Sequence, residues 1–157
     1  RMKNLILLFA IFSLVACNKE TNCRDKLPKQ IIGTGEIVSN ALVSRPLTTW
    51  AMSNYEHVIR TDSQNVFSLK VSFDNGNTYD SIDFNQYTLL GKYASEACRA
   101  TFERNVTKDD SQKKYLYKIT VHQCGLCDVL CESMNWVLVP KIPDDYDVSF
   151  SVETKKY

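Results

Sequence analysis

Trp136-Val137-Leu138-Val139, followed at once by Pro140, is the stretch on which the fold turns. Four apolar residues in succession leave no polar alternation, so a strand built from them is apolar on both faces. Such a strand is expected at the buried centre of a sheet. Pro140 has no amide to give a ladder and stops it.

Two longer runs upstream have the opposite pattern. From Cys98 to Val106, Cys98, Ala100 and Phe102 face one way while Arg99, Thr101 and Glu103 face the other. From Tyr115 to Gln123, Tyr115, Tyr117, Ile119 and Val121 share one face. A charged region, Thr107 to Lys114, lies between them, and together the two runs predict a hairpin with its turn near Asp110. Val148, Phe150 and Val152 alternate with Ser149, Ser151 and Glu153 in a last strand, after a loop at Pro143-Asp144-Asp145. Thr88 to Tyr93, Glu56 to Arg60 and the glycine-interrupted Ile31 to Val38 are further strand candidates, and Asn75-Gly76-Asn77 reads as a turn. Thr61 or Asp62 is placed to cap a helix running to about Val71, with Val66, Phe67 and Val71 on one side. The expected fold class is therefore α+β: a small single domain, predominantly antiparallel β, with one short helix.

The N-terminus carries a different kind of signal. Arg1 and Lys3 precede an apolar run of 11 residues, Leu5 to Val15. That is short of the roughly 20 residues a membrane-spanning helix needs. A positive start, a short apolar centre and small residues before a break form a secretory signal pattern. Leu14-Val15-Ala16-Cys17 adds the order required by lipoprotein processing, with small residues for the peptidase and a thiol to accept the diacylglycerol. The chain thus resembles a bacterial lipoprotein: residues 1–16 as signal peptide, Cys17 as lipidation site, residues 17–30 as lipidated tether and residues 31–157 as a globular β-rich domain. Several acyl chains, palmitate among them, hold a protein on a membrane where one does so only marginally. Asn18, rather than Asp, follows the lipid site, which points to the outer membrane of the envelope. The polar stretch Asn18 to Gln30 would reach roughly 40 Å when extended.

The chain has 19 basic and 18 acidic residues, and loss of Arg1 and Lys3 with the leader turns a net charge of +1 into −1. A nearly neutral domain has no electrostatic case for nucleic acid. Membrane contact is expected through the N-terminal lipid alone.

Six cysteines in an exported chain are read first as disulfides. With Cys17 assigned to lipid, Cys23, Cys98, Cys124, Cys127 and Cys131 remain, enough for two bridges and one spare thiol. Cys98 begins one hairpin strand and Cys124 ends the other, so a bridge from Cys98 into the Cys124–Cys131 cluster is expected, with Cys124, Cys127 and Cys131 all open as partner. A turn near Asp110 puts Cys98 opposite about His122, and the pleat then places Cys124 on the other face from Cys98 and Phe102. The rival readings use the same residues. Cys124-x-x-Cys127 before a short helix, Leu126 to Glu132, is a redox arrangement, and three thiols with His122 make a zinc set. His122 itself, on an alternating strand, reads as a surface histidine.

Ser81-Ile82-Asp83-Phe84-Asn85-Gln86-Tyr87-Thr88-Leu89-Leu90 resembles a recurring element of small bacterial envelope proteins. In these, a V-D-F-like turn precedes a short strand, a hairpin and a final pair of strands around a V-x-x-P stop. The protease-complex B-subunits, a family accessory to a bacterial surface protease, are similar in this arrangement. Asp83-Phe84, Tyr115 to Val121 and Val139-Pro140-Lys141-Ile142-Pro143 carry the resemblance. The family's glycine-rich G-G-Y-like segment is replaced here by Glu96-Ala97-Cys98-Arg99, and no functional residue carries over. The function expected is that of a non-enzymatic envelope lipoprotein whose domain binds or stabilises a partner protein, with no cofactor and no catalytic residue. The alternative is a thiol-disulfide or zinc-binding domain at Cys124, Cys127 and Cys131. Trp50, Tyr55 and Tyr87 are candidates for an aromatic contact surface.

Overall fold

A computed structural model describes residues 33–44, 56–97, 99–125 and 130–157, together with Asp25, Leu27 and Pro28. The readings placed on Leu14 to Cys17, on Cys23, Cys98 and Cys127, and on Trp50 and Tyr55 lie outside these residues. The described chain forms ten strands: β1 Thr34–Gly35, β2 Leu42–Val43, β3 Glu56–Ile59, β4 Lys70–Ser72, β5 Asp80–Ser81, β6 Tyr87–Ala97, β7 Arg99–Asp109, β8 Lys114–Cys124, β9 Leu130–Pro140 and β10 Asp147–Lys156. They make three sheets, ordered β1-β7-β8-β10, β3-β6-β9 and β2-β4-β5.

The α+β expectation with one short helix is corrected: the fold is predominantly β. Where the apolar spacing predicts the helix, among the described residues, there is one 3-10 turn at Asp62–Gln64. The side chain of Asn65 explains the stop. Its Oδ1 accepts from the Leu69 amide at 3.0 Å and its Nδ2 donates to the Leu69 carbonyl at 2.9 Å. Asparagine side chains offer the backbone this alternative to helical bonding. Ser68 sits at a φ of 49°, and Val66, which a helix would have buried, is 76% exposed. Val71 enters β4 instead. The short helix expected over Leu126 to Glu132 is corrected at its described end, because Leu130, Cys131 and Glu132 open β9.

The sheets stack in layers around β3-β6-β9. Leu90, Ala94, Val137 and Val139 face the β1-β7-β8-β10 sheet and pack with Phe102, Val106, Tyr115, Tyr117, Ile119 and Val121. Leu89, Trp136 and Leu138 face the other way, with Ile59, onto Leu69, Val71, Ile82 and Phe84. The two-faced apolar pattern of residues 136–139 is therefore the signature of a sheet covered on both sides. In pairing order, β9 lies at its sheet's margin rather than its centre. The Val38 amide donates to the Leu138 carbonyl there, at 2.9 Å.

Antiparallel pairing holds at five of the seven strand contacts, while β1 runs parallel to β7 and β10 parallel to β8. Beyond Pro140, Lys141 holds the end of the middle sheet. Its Nζ donates to the carbonyls of Arg60 and Phe84, at 2.9 and 2.7 Å. At the Asn75-Gly76 turn, Ser72 and Thr78 donate hydroxyls to the Asp74 carboxylate, whose pKa falls to about 2.

One row across the middle sheet ties these layers together. His57 is paired with Gly91, and Gly91 with Trp136, on a single face. The indole lies across the glycine and reaches His57, with ring centroids 5.4 Å apart, and Phe67, at 5.8 Å. A Cβ at residue 91 would stand 2.2 Å from the indole Cζ3. Overpacking of this kind costs about 1–3 kcal/mol. Gly91→Ala is expected to lose that much stability in urea unfolding followed by far-UV circular dichroism. A variant as stable as the parent would show that the ring position does not depend on the glycine.

Candidate functional site at the ribbon corner

The cysteine-bearing segment lies where one long ribbon passes between two sheets. β7 and β8 pair with Arg99 opposite Cys124, and β6 and β9 pair with Ala97 opposite Leu130. A single residue, Cys98, separates β6 from β7, whereas residues 125–129 separate β8 from β9. Extra residues on one side of a paired ribbon bend it, and strands that switch sheets do so at such corners. Gly125 opens the longer side at a φ of 92°, a conformation glycine adopts without strain.

The hairpin is longer than its sequence pattern indicates. β7 runs on through Thr107, Lys108 and Asp109, and the turn occupies Asp110 to Lys113. The Asp109 carboxylate accepts from the Ser111 and Gln112 amides, at 2.9 and 3.1 Å, closing the turn. The register consequently moves from the expected one. Thr101 rather than Cys98 is opposite His122, and Arg99 is opposite Cys124.

Cys124 is buried and disulfide-bonded, and Cys131 is a free, half-buried thiol. Their faces differ. Phe102 is opposite Val121, so the interior face of the hairpin holds Tyr117, Ile119 and Val121, and Cys124 belongs to the outer face. Cys131 instead packs against the interior cluster, its Sγ 4.0 Å from the Ala100 carbonyl. The backbone of the hairpin thus stands between the free thiol and Cys124. A zinc set needs its thiolates on one centre. Among the described residues, no group of three His, Cys, Asp or Glu side chains is arranged to hold a metal.

His122 departs from the surface reading. It is 5% exposed, on the same outer face as Cys124, and both ring nitrogens have protein partners. Nε2 lies 2.9 Å from Glu103 Oε2, and Nδ1 lies 2.8 Å from the Tyr157 hydroxyl. The carboxylate can only accept, so Nε2 carries a proton; in the neutral ring Nδ1 then accepts from the phenol. The Tyr157 amide also donates to the Gln123 carbonyl at 3.0 Å, so this trio fastens the end of β10 to β8. No local pattern signals the pairing, because it depends on the parallel alignment of β10, which sets Lys155 beside His122 and brings Tyr157 within reach.

Other chemistry-bearing residues are dispersed. His57 lies on the far side of the middle sheet among Phe67 and Trp136, where burial pushes its pKa down. Asp144 and Asp145 face Arg60 and Lys113, at 3.8 and 2.6 Å. Tyr87 is half-buried beside Phe73. A cavity of about 290 Å³ opens near the hairpin tip, lined by Thr107, Lys108, Gln112, Lys114 and Leu116. Lys108, in its wall, is paired with Asp110.

The arrangement at the corner is that of a staple. Alkylation of unreduced protein, followed by peptide mass mapping, should modify Cys131 and leave Cys124 in a disulfide-linked peptide. Alkylated Cys124, or Cys131 recovered in a cross-linked peptide, would contradict the geometry.

No family model, curated protein or solved structure matches the chain.

Proposed function

We propose that this protein is a non-enzymatic lipoprotein of the bacterial envelope, anchored through Cys17 at the outer membrane, whose β domain binds a protein partner. The anchoring half of this reading is supported by Leu14-Val15-Ala16-Cys17 and the polar stretch behind it. The binding half is supported by one observation above all, the open margin of β10. This strand is ten residues long and ends its sheet. No described residue hydrogen-bonds its outer edge. Edge strands present a row of unpaired amides and carbonyls that another strand can complete. Among the described residues, the margins β1, β2 and β5 have two residues each and β3 has four, while the eleven-residue margin β9 already receives the Val38 amide at Leu138.

Cell fractionation and in-cell cross-linking test the two halves together. Cys17→Ser should move the protein from the membrane to the soluble fraction. Val152 is 43% exposed on β10, and a lysine there is a natural device against edge pairing. Val152→Lys should keep the protein on the membrane but remove its cross-linked species. Stable anchoring of Cys17→Ser defeats the lipid assignment, and unchanged cross-links in Val152→Lys defeat the edge as the binding surface.

A further inference from the structure

We infer that the strand received by β10 is β10 of a second copy, paired antiparallel about a two-fold axis through Ser151. The inference deepens the partner-binding reading, on which it rests, by naming the partner. A two-fold axis normal to a sheet keeps each copy's interior face on the same side, so directly opposed residues must be both interior or both outer. On β10 the interior residues are Val148, Phe150, Val152 and Thr154, since Val148 lies beside Tyr115, Phe150 beside Tyr117 and Val152 beside Ile119. The outer residues are Asp147, Ser149, Ser151, Glu153 and Lys155.

With Ser151 on the axis, every opposed pair is compatible. Asp147 meets Lys155 of the second copy, Val148 meets Thr154, Ser149 meets Glu153 and Phe150 meets Val152. The acid and the base at the two ends of the strand thus meet twice, once on each side of the axis, as an isologous contact requires. Opposite charges directly across strands favour pairing, and like charges oppose it. Asp147 and Lys155 are both exposed and make no ion pair with any described residue. Glu153, by contrast, is bound to Lys118 of its own chain. The apolar pairs answer a second need. Phe150 is already packed against Tyr117, with centroids 5.9 Å apart, and Val152 beside it is left exposed. The register covers each Val152 with the second copy's Phe150 and makes one eight-stranded sheet from two four-stranded ones. The centre of the strand, Val148 to Val152, also lacks the charge or proline by which edges are commonly protected.

The register can be read by cysteine placement in the full lipidated chain. Ser151→Cys puts a thiol opposite its own copy. Ser149→Cys, on the same strand and face, puts the two thiols four residues apart along the ladder, about 14 Å. On non-reducing gels of whole envelopes, Ser151→Cys should give a disulfide dimer above the parent's background, and Ser149→Cys should not. Equal dimer in both, or in neither, overturns the register. Sedimentation of the purified lipidated chain in detergent supplies the second reading. Asp147→Lys and Lys155→Asp should each weaken self-association by about tenfold or more. An equal mixture of the two should recover it, because a chain with lysine at both positions then faces a chain with aspartate at both. A parent that stays monomeric at all concentrations overturns the second copy. If Val152→Lys in that monomer still loses a different cross-linked envelope protein, the broader binding reading stands; if it loses nothing, both fall.

Discussion

The indole of Trp136 lying over Gly91 is the contact on which the layered arrangement depends. A middle sheet covered on both faces must bring three side chains abreast at each position of its three strands. With His57 on one side and Trp136 on the other, a third side chain at residue 91 would leave the indole no place. Removing that side chain lets the ring lie flat enough to touch His57 and Phe67 and to close the layer below. The same alternation sends Val137 and Val139 to the opposite side, where the long hairpin packs. One missing Cβ therefore allows a strand to serve two cores, and the burial of about ten large apolar side chains on each side of such a sheet is what a small domain can offer against chain entropy.

The ribbon corner follows from that burial. A flat ribbon of the length of β6–β7 with β8–β9 would expose one apolar face along half its course. The two halves of the ribbon instead share one interior, Ala94 and Cys131 packing in the same cluster as Ala100 and Phe102. The described ladder stops at Ala97 opposite Leu130 and resumes at Arg99 opposite Cys124. A disulfide at Cys124, on the outer face, acts where the ladder is interrupted, and it does so without occupying interior volume. Cys131, on the inner face, fills core space as a small apolar side chain does.

Strand periodicity is the legible part of this chain. Tyr115 to Val121 and Val148 to Val152 alternate because one side of each faces a core, and residues 136–139 fail to alternate because both sides do. Three things lie beyond local pattern. The segment after Thr61 has the apolar spacing and the cap of a helix, but Asn65 closes a loop onto Leu69 that no period encodes. The charges of Thr107 to Asp109 read as a turn, yet these are strand residues whose side chains reach solvent at an exposed tip. The parallel docking of β10 on β8 joins segments distant along the chain, and with it come the contacts of His122. Register across such distances is set by which residues share a buried face, which becomes readable only once the partner strand is known.

The open margin of β10 and the lipid proposed at Cys17 bear on one another. An edge contact of nine residues is modest, and a protein free in three dimensions would populate it only when concentrated. Confinement to a membrane changes that comparison, because tethering converts encounter into an event at high effective concentration. On the proposed reading, the polar sequence from Asn18 to Gln30 is what separates lipid from domain. On the same reading, the anchor supplies local concentration and β10 supplies orientation, and neither needs a cavity or a reactive centre. Weak pairing also suits an edge whose ends carry Asp147, Lys155 and Lys156. These charges discourage any strand that does not offer the complementary sign in the same register, so selectivity comes from mismatched partners being repelled as much as from the matched one being held.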